Sequence, residues 1–304
     1  TMRPMRIAQS ALPPPVRTAA RNRTVATDTL PLSPHPPGFQ PVDDADGSLA
    51  YQGPSWVKRR LENNGVRLVA IRHGQSQSNA DSEKLGQPLL YGQSESPLTD
   101  LGREQARTCA ARLYSQLGGD DWLRGCLDHP EKLPVFLSSP VSRSMDSAEL
   151  LVQHLRDRVL ELGGEEALGR LASHLVVQPE PRLLETHFGR FEGHPLSDLQ
   201  QAHPDFARNW LPPEGMGTDF RHRFPGGESR ADVMLRMACL LDGVARVHAG
   251  RTVVVMTHGE CLRATRAVLG QAPVQEGKVR AEGGMANATP YWLVGAAPGG
   301  ASGG

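Results

Sequence analysis

Two histidines in this chain each follow a short apolar run, at the point where a buried strand would end. His73, preceded by Arg72, follows Arg67-Leu-Val-Ala-Ile71, and His258 follows Thr252-Val-Val-Val-Met-Thr257; a glycine comes after each histidine. Open parallel sheets place their chemistry at the carboxyl ends of strands. Histidine can attack or carry a proton near neutral pH, and arginine binds anions through a planar fork of donors. The two segments therefore indicate one reactive site that binds an anion.

Two further motifs lie between these histidines. They are Ser-Pro-Val-Ser-Arg143, behind another apolar run, and Leu-Glu185-Thr-His-Phe-Gly. Each charged residue also has an ordinary structural interpretation: Arg143 could pair with Asp146 on a helix surface, and Glu185 could pair with Arg182. The ordered occurrence of all four motifs favours the chemical interpretation.

The elements that must position these residues alternate between strand and helix. Strands are predicted over 67–71, 134–139, 175–178, 252–257 and 289–294, the last at a sheet edge because it contains a proline. One helix is predicted to begin at a Thr99 cap. Further helices are predicted over 141–158, over 195–210, over 229–247 with Ser229 as its cap, and from 259 to about 269. This alternation predicts a mainly parallel sheet covered by helices on both faces.

Composition narrows the classes of partner. The chain has 304 residues, 38% of them hydrophobic, and its 33 Lys plus Arg balance its 33 Asp plus Glu. With no net charge, no nucleic acid or anionic membrane surface is predicted as a partner, and no apolar run approaches the ~18 residues that span a bilayer. The four cysteines lack CxxC spacing and are interpreted as reduced packing residues, with two disulfides as the alternative.

The two ends of the chain differ from its middle. The first 45 residues hold five arginines and no acid before Asp28. Residues 1–54 are therefore predicted to be a disordered leader, and residues 296–304 a flexible Gly-rich tail. One catalytic domain over 55–295 accounts for the rest. The predicted location is cytoplasmic, or an organelle stroma or matrix if the alternative interpretation of residues 1–45, a transit peptide, holds.

Taken in order, the four motifs resemble branch 1 of the histidine phosphatase superfamily, also called the phosphoglycerate-mutase-like family. The motifs are Arg72-His73-Gly74, Ser139-Pro-Val-Ser-Arg143, Leu184-Glu185-Thr-His-Phe188-Gly189 and His258-Gly259-Glu260, and the resemblance covers roughly residues 65–295. It implies a three-layer α/β/α sandwich with a mostly parallel central sheet. It also implies phosphoryl transfer through a phosphohistidine, with no metal and no cofactor.

The resemblance also implies a role for each catalytic residue. His73 is the nucleophile, and a neutral imidazole suits a dianionic phosphate monoester because it adds no negative charge. Arg72, Arg143 and a protonated His258 hold the phosphoryl oxygens. Glu185 is the acid that gives a proton to the leaving alkoxide.

Substrate-binding residues are predicted around this centre. Asn79 matches an asparagine that contacts the phosphoryl group, or is a turn residue, and backbone N–H groups after Gly259 can add to the phosphate site. In the segment 219–229, similar to one in fructose-2,6-bisphosphatase-like and broad-specificity phosphatases, Arg221 and Arg223 alternate with aromatic or imidazole residues. Either they bind a second anionic group of the substrate, or the segment is a solvated loop.

Three functions are compatible with these motifs. The first is a phosphatase that hydrolyses a small phosphorylated metabolite. The second is a phosphoglycerate-type mutase, which must keep water from its phosphohistidine; the sequence shows no segment suited to such closure. The third is a phosphate-binding scaffold without turnover, which the retention of all five catalytic residue types disfavours.

Overall fold

The computed structural model describes residues 55–210, 222–271, 274–275, 278–279 and 285–298. The predicted leader, Arg221 and the predicted tail beyond residue 298 lie outside the described residues.

A five-stranded sheet forms the middle of the fold. The strands of the described residues are β1 (Arg67–Arg72), β2 (Val135–Ser138), β3 (Val177–Pro179), β4 (Thr252–Thr257), β5 (Val274–Gln275), β6 (Lys278–Val279) and β7 (Pro290–Val294). The main sheet has the order β3-β2-β4-β1-β7. Its first four strands run parallel, and β7 pairs antiparallel with β1 at the edge, as the proline predicts. β5 and β6 pair separately.

The described residues form helices that cover both faces of this sheet and others that lie beside it. They are α1 (Ser55–Asn63), α2 (Gln77–Leu85), α3 (Asp100–Leu117), α4 (Gly119–Asp128), α5 (Ser142–Leu171), α6 (Leu196–Ala202), α7 (Pro204–Trp210), α8 (Arg230–Val247) and α9 (Gly259–Val268). Leu68 and Ala70 of β1 pack in a core with α1, α8 and α9, whereas Val69 and Ile71 pack in a second core with α3, α4 and α5. Burial on both faces explains the continuous apolar runs, because parallel strands between helices have no polar side. The predicted α/β/α sandwich is confirmed.

Several element boundaries differ from the sequence prediction. The single helix predicted over 195–210 is two helices, because Pro204 begins α7 and its missing N–H cannot continue the ladder of α6. The helix predicted over 141–158 extends to Leu171, across a break at Gly164, where φ is 71°. Helices α1, α2 and α4 were not predicted. α2 has one buried residue, Ser78, so it carries no apolar stripe that a pattern could detect.

Two predicted helix caps are confirmed. The Thr99 hydroxyl accepts a hydrogen bond from Gly102 N at the start of α3. At the start of α8, Ser229 Oγ accepts from Asp232 N at 3.2 Å and Asp232 Oδ2 accepts from Ser229 N at 2.7 Å, which is a reciprocal capping box. The segment before α8 is thus fixed at its carboxyl end.

A third apolar cluster lies outside the two main cores. It consists of Leu90, Phe188, Phe191, Leu196, Leu199, Ala207, Trp210 and Phe224, with Phe206 packed against them. Because Phe188 stacks edge-on against both Trp210 and Phe224, the cluster ties the segment after Glu185 to α7 and to the segment before α8.

The cysteines are unpaired in the described part of the chain, as the first interpretation of their spacing predicts. Cys109, Cys126 and Cys261 are buried, Cys239 is half-buried, and all four are free thiols. No helix among residues 55–210, 222–271 and 285–298 is long and apolar enough to cross a membrane.

Candidate active site

The two motif histidines meet at the carboxyl ends of neighbouring strands. Arg72 ends β1 opposite Thr257, the last residue of β4, and His73 N donates to Thr257 O at 3.0 Å. The chain then leaves both strands with a histidine, so the rings of His73 and His258 lie edge to face with their centroids 5.0 Å apart. Parallel pairing therefore brings together two residues that are distant in sequence.

The surroundings of His73 fix its tautomer. Its Nδ1 lies 2.7 Å from Gly74 O, and because a carbonyl only accepts, Nδ1 carries the proton and Nε2 presents a lone pair. The backbone is held as well, since Asn287 Nδ2 donates to His73 O at 2.7 Å. His73 is 4% exposed. A neutral, oriented imidazole with a free Nε2 is the form required of a nucleophile.

The turn after His73 depends on a close backbone contact. A Cβ atom at Gly74 would lie 2.2 Å from Gly102 O, and one at Gly102 would lie 2.0 Å from Gln75 O. Only two glycines let the turn approach the first turn of α3 so closely. The hydrogen bond from Gly74 N to Ser147 Oγ, 3.0 Å long, then holds the turn against α5.

We expect Gly74→Ala to lower the free energy of unfolding by about 1–3 kcal/mol, because the new methyl group collides with backbone that cannot move aside. Gly125→Ala in α4 is the matched control. No atom lies within 4 Å of its added Cβ, so it should be neutral or stabilising by up to ~1 kcal/mol. Denaturant unfolding of both variants measures the difference. Equal effects would show that the turn tolerates a side chain.

Two arginines converge on His73. Arg143 is 1% exposed, and its guanidinium donates to Ser94 O at 2.8 Å and to Gly92 O at 2.5 Å. Arg72 donates from Nη1 to Met285 O at 2.8 Å, while its buried Nε has no hydrogen-bond partner. The surface ion pair with Asp146 considered for Arg143 is wrong, since this side chain is buried and held by carbonyl oxygens. Both guanidinium groups are therefore fixed before any ligand binds.

Glu185 reaches the same centre from a loop. Its Oε1 accepts from Thr186 N at 2.9 Å and its Oε2 from Glu260 N at 3.1 Å. Arg72 Nε and Glu185 Oε2 both lie 3.9 Å from the position that a Cβ atom of Gly259 would take. The alternative pairing with Arg182 is wrong, because Arg182 binds Glu180 instead. The structure thus brings this carboxyl group next to a guanidinium with an unpaired donor.

The electrostatics of Glu185 favour a carboxylic acid. Burial raises the pKa of Glu185, and the negative charge of Glu260 raises it further, against the opposing backbone N–H donors and Arg143. Burial alone would raise the pKa of Glu260 too, but Arg230 and Arg263 pair with it and lower that pKa overall. The ionised form of Glu260 is therefore favoured, and its negative charge favours the protonated form of Glu185.

The electrostatics of the two histidines favour neutral rings. Burial lowers the pKa of His73 well below its ordinary value, and Arg143 and Arg72 lower it further. Burial, Arg143, His73, Arg72 and Arg236 do the same to the pKa of His258. The protonated His258 expected from the sequence is therefore not the form that this site favours by itself. A dianion bound between the arginines would raise the pKa of His258 again, because its negative charge favours the protonated ring. Binding of such a dianion is therefore the condition under which His258 takes up a proton.

Hydroxyl groups orient His258. Its Nε2 lies 2.8 Å from Ser139 Oγ and 3.3 Å from Ser144 Oγ, whereas its buried Nδ1 has no hydrogen-bond partner. Ser139 follows β2 and Ser144 lies in the first turn of α5, so the Ser-Pro-Val-Ser-Arg143 motif supplies both a guanidinium and the support for this histidine. The free Nδ1 is the atom available to a ligand.

Of the predicted substrate-binding residues, Gly259 and Asn79 lie near the reactive centre, but both also have structural roles. Gly259 begins α9 beside the centre, but the next N–H, that of Glu260, is taken by Glu185. Asn79 accepts from Ser76 N in the capping box of α2 and lies 3.5 Å from Asn287 Nδ2. Its capping role is thus evident, and its oxygen lies near the residue that holds His73.

The predicted second anion site at Arg221 and Arg223 stays a prediction. Arg223 is exposed, donates to Gly227 O at 3.3 Å and pairs with Asp232 at 2.5 Å. These contacts hold it at the start of α8, and none joins it to His73 or Arg143. Arg221 lies outside the described residues.

Sequence reasoning missed the carboxylate that fixes Arg143. Glu192 Oε1 accepts hydrogen bonds from three successive backbone N–H groups, those of Gly92, Gln93 and Ser94, at 2.7, 2.8 and 2.9 Å. The same short segment turns its carbonyl oxygens to Arg143. A carboxylate bound in such a backbone nest has no signature in a single sequence.

The described residues include no group of three or more His, Cys, Asp or Glu placed to hold a metal ion.

This chain is similar to known proteins over most of its length. A family model described as histidine phosphatase superfamily (branch 1) matches residues 68–289. The chain is 30% identical over 237 residues to a glucosyl-3-phosphoglycerate phosphatase of Mycolicibacterium vanbaalenii, covering 75% of this chain and 84% of that protein. It is 26% identical over 218 residues to a probable phosphoglycerate mutase of Yersinia enterocolitica, covering 71% and 80%. The solved structure of a mycobacterial glucosyl-3-phosphoglycerate phosphatase complexed with VO3 is similar with a TM-score of 0.52 and 28% identity, covering 74% of this chain and 90% of that one.

Proposed function

Since this chain belongs to branch 1 of the histidine phosphatase superfamily, we propose that it is a metal-independent phosphomonoesterase that hydrolyses a small phosphorylated metabolite through a phosphohistidine. One observation carries the proposal: the buried, neutral His73 is held with Nε2 free between two fixed arginines and beside a carboxyl group whose pKa is raised. Residues 55–295 form the proposed catalytic domain.

The first step transfers the phosphoryl group to the enzyme. Arg72 Nε, Arg143 and His258 Nδ1 bind the non-bridging oxygens and offset their charge. His73 Nε2 forms a bond to phosphorus as the bond from phosphorus to the ester oxygen breaks. Glu185 gives its proton to that oxygen, so the leaving group departs as an alcohol rather than an alkoxide.

The second step returns the enzyme to its starting state. Glu185, now a carboxylate, takes a proton from water as the water oxygen attacks phosphorus. The bond between phosphorus and His73 Nε2 breaks, inorganic phosphate leaves, and Glu185 is again an acid. The same carboxyl group serves both steps because each moves one proton at the same oxygen position.

Hydrolysis is favoured over the mutase reaction by the comparisons. The relative at 30% identity and the similar solved structure are both named as phosphatases, whereas the relative at 26% is named as a probable mutase. All three names concern small phosphorylated compounds, which supports a small metabolite as the substrate of this chain.

The test is an assay of the purified protein on an aryl phosphate and a panel of phosphorylated metabolites, with a chelator present. We expect release of inorganic phosphate that the chelator does not reduce. A requirement for an added divalent metal would contradict the proposal. Movement of labelled phosphate from a bisphosphate into an organic product, without inorganic phosphate, would establish the mutase instead, and phosphate binding without turnover would establish the scaffold.

A further inference from the structure

A half-buried ion pair lies directly behind the loop that carries Glu185, and the two chemical steps do not use it. Arg236 Nε donates to Glu228 Oε1 at 2.9 Å, and Arg236 Nη2 donates to Glu228 Oε2 at 3.2 Å. The two side chains are only 17% and 20% exposed. A two-point pair of this kind fixes the direction of a guanidinium as well as its position.

The other N–H groups of Arg236 donate to main-chain oxygens of Arg182 and of Glu185, the proposed acid. Its Nη1 donates to Arg182 O at 2.6 Å, and its Nη2 also donates to Glu185 O at 3.2 Å. Nη1 lies 3.4 Å from Cys261 Sγ on α9 as well. A single guanidinium therefore links α8, α9 and two points of the loop.

Glu228 holds the main chain on the other side of the acid. Its Oε2 accepts from His187 N at 2.9 Å, and its own N–H donates to His187 O at 2.8 Å. The neighbouring backbones are in close contact, since a Cβ atom at Gly227 would lie 2.2 Å from His187 O. Glycine is required there for the two segments to approach. The main chain is thus bound at His187, two residues after Glu185, as well as at Glu185 itself.

Such support matters because Glu185 itself lies in no regular element. Residues 184–188 belong to neither helix nor strand. The N–H of Glu260 in α9 binds the carboxyl group, but the course of the main chain that carries it depends on side chains that bind this main chain. Besides Arg236, the only described donor to Glu185 O is Gln93 Nε2, at 3.1 Å. Proton transfer in a phosphoryl-transfer step needs the acid within hydrogen-bond reach of the leaving oxygen, and a shift of about 1 Å is costly.

We propose that Glu228 and Arg236 are positioning residues that hold the main chain on both sides of Glu185, so that its carboxyl group meets the leaving oxygen of the substrate. This inference rests on the proposed function. It gives Glu228 a role toward the acid, beside the capping of α8 by Ser229.

The test is the dependence of kcat/KM on the leaving group in Arg236→Lys and Glu228→Gln. The value of kcat/KM reports the first step, in which the leaving group departs. A nitrophenolate leaves without a proton, whereas a phenolate or an alkoxide needs a proton from Glu185. We expect kcat/KM of each variant to fall by about 10-fold or less for 4-nitrophenyl phosphate and by about 100-fold for phenyl phosphate. The plot of log kcat/KM against leaving-group pKa then becomes steeper. Glutamine keeps the size of Glu228, so this variant carries the test if Arg236→Lys does not fold.

Arg246→Lys is the matched control, because Arg246 lies on the same helix, pairs with Asp242 at 2.8 Å and is half exposed. Its plot should coincide with that of the wild type. A parallel loss on all substrates in both test variants, or no loss, would overturn the proposal, since a purely structural pair changes every rate by the same factor. If the wild type failed to hydrolyse any aryl phosphate, the proposed function would fail first.

Discussion

Alanine in place of His73 is expected to lower kcat/KM for an aryl phosphate by about four to six orders of magnitude. The arginines that bind phosphate remain in this variant, but no nitrogen is left to form the bond to phosphorus. Steady-state kinetics measure the loss. Competitive inhibition by inorganic phosphate checks that the binding groups are still in place.

His194→Ala is the control for this prediction. His194 is also a histidine, but it is exposed and paired with Asp198 at 3.0 Å, so its removal should change kcat/KM by less than about 2-fold. Comparable losses in the two variants would mean that the effect at His73 is one of stability. Normal turnover by His73→Ala would remove this residue from the mechanism.

Glutamine in place of Glu185 is expected to separate substrates by their leaving groups. Glutamine keeps the shape and an acceptor for Glu260 N, but it has no acidic proton to give. We expect kcat/KM for an alkyl phosphate to fall by about 10²–10⁴-fold, and kcat/KM for 4-nitrophenyl phosphate by about 10-fold or less. Equal losses on both substrates would assign the proton to another group.

The pH dependence of kcat/KM offers a second measurement on the same variant. Burial and Glu260 raise the pKa of Glu185, and the acid works only below that pKa, so the wild-type kcat/KM for an alkyl phosphate should fall as pH rises through it. Burial and the arginines lower the pKa of His73, so the nucleophile stays available below its ordinary pKa, at mildly acidic pH. At still lower pH, protonation of His73 lowers kcat/KM. In Glu185→Gln, the decrease of kcat/KM at higher pH should disappear, and the decrease at lower pH should remain. A variant profile identical in shape to that of the wild type would refute the assignment.

Much of the reactive centre could be predicted because it lies where strands end. His73 and His258 stand out since buried parallel strands are apolar over their whole length and stop sharply at a polar residue. Arg143 lies in the first turn of α5, shortly after the end of β2. The ends of neighbouring parallel strands meet at one edge, so the position of each residue along the chain already determines its place in the site.

The supports of the centre could not be predicted in this way. Glu192, Asn287 and the Glu228–Arg236 pair act by binding backbone groups of residues far away in sequence. Such contacts depend on how loops pack, and a single sequence carries no period or spacing that reports it. The neutral state of His258 escaped prediction for a related reason, since it depends on burial and on how close the arginines lie.

The most direct test of the central claim, that His73 carries the phosphoryl group, is rapid acid-free quenching of the enzyme with ³²P-labelled 4-nitrophenyl phosphate, followed by mapping of the label to a peptide. We predict label on the peptide that contains His73, stable to alkali and lost in acid, with more of it in Glu185→Gln because the second step then lacks its base. The label should be absent from His73→Ala. Label on His258, or hydrolysis by the wild type with no labelled protein at any time, would contradict the account.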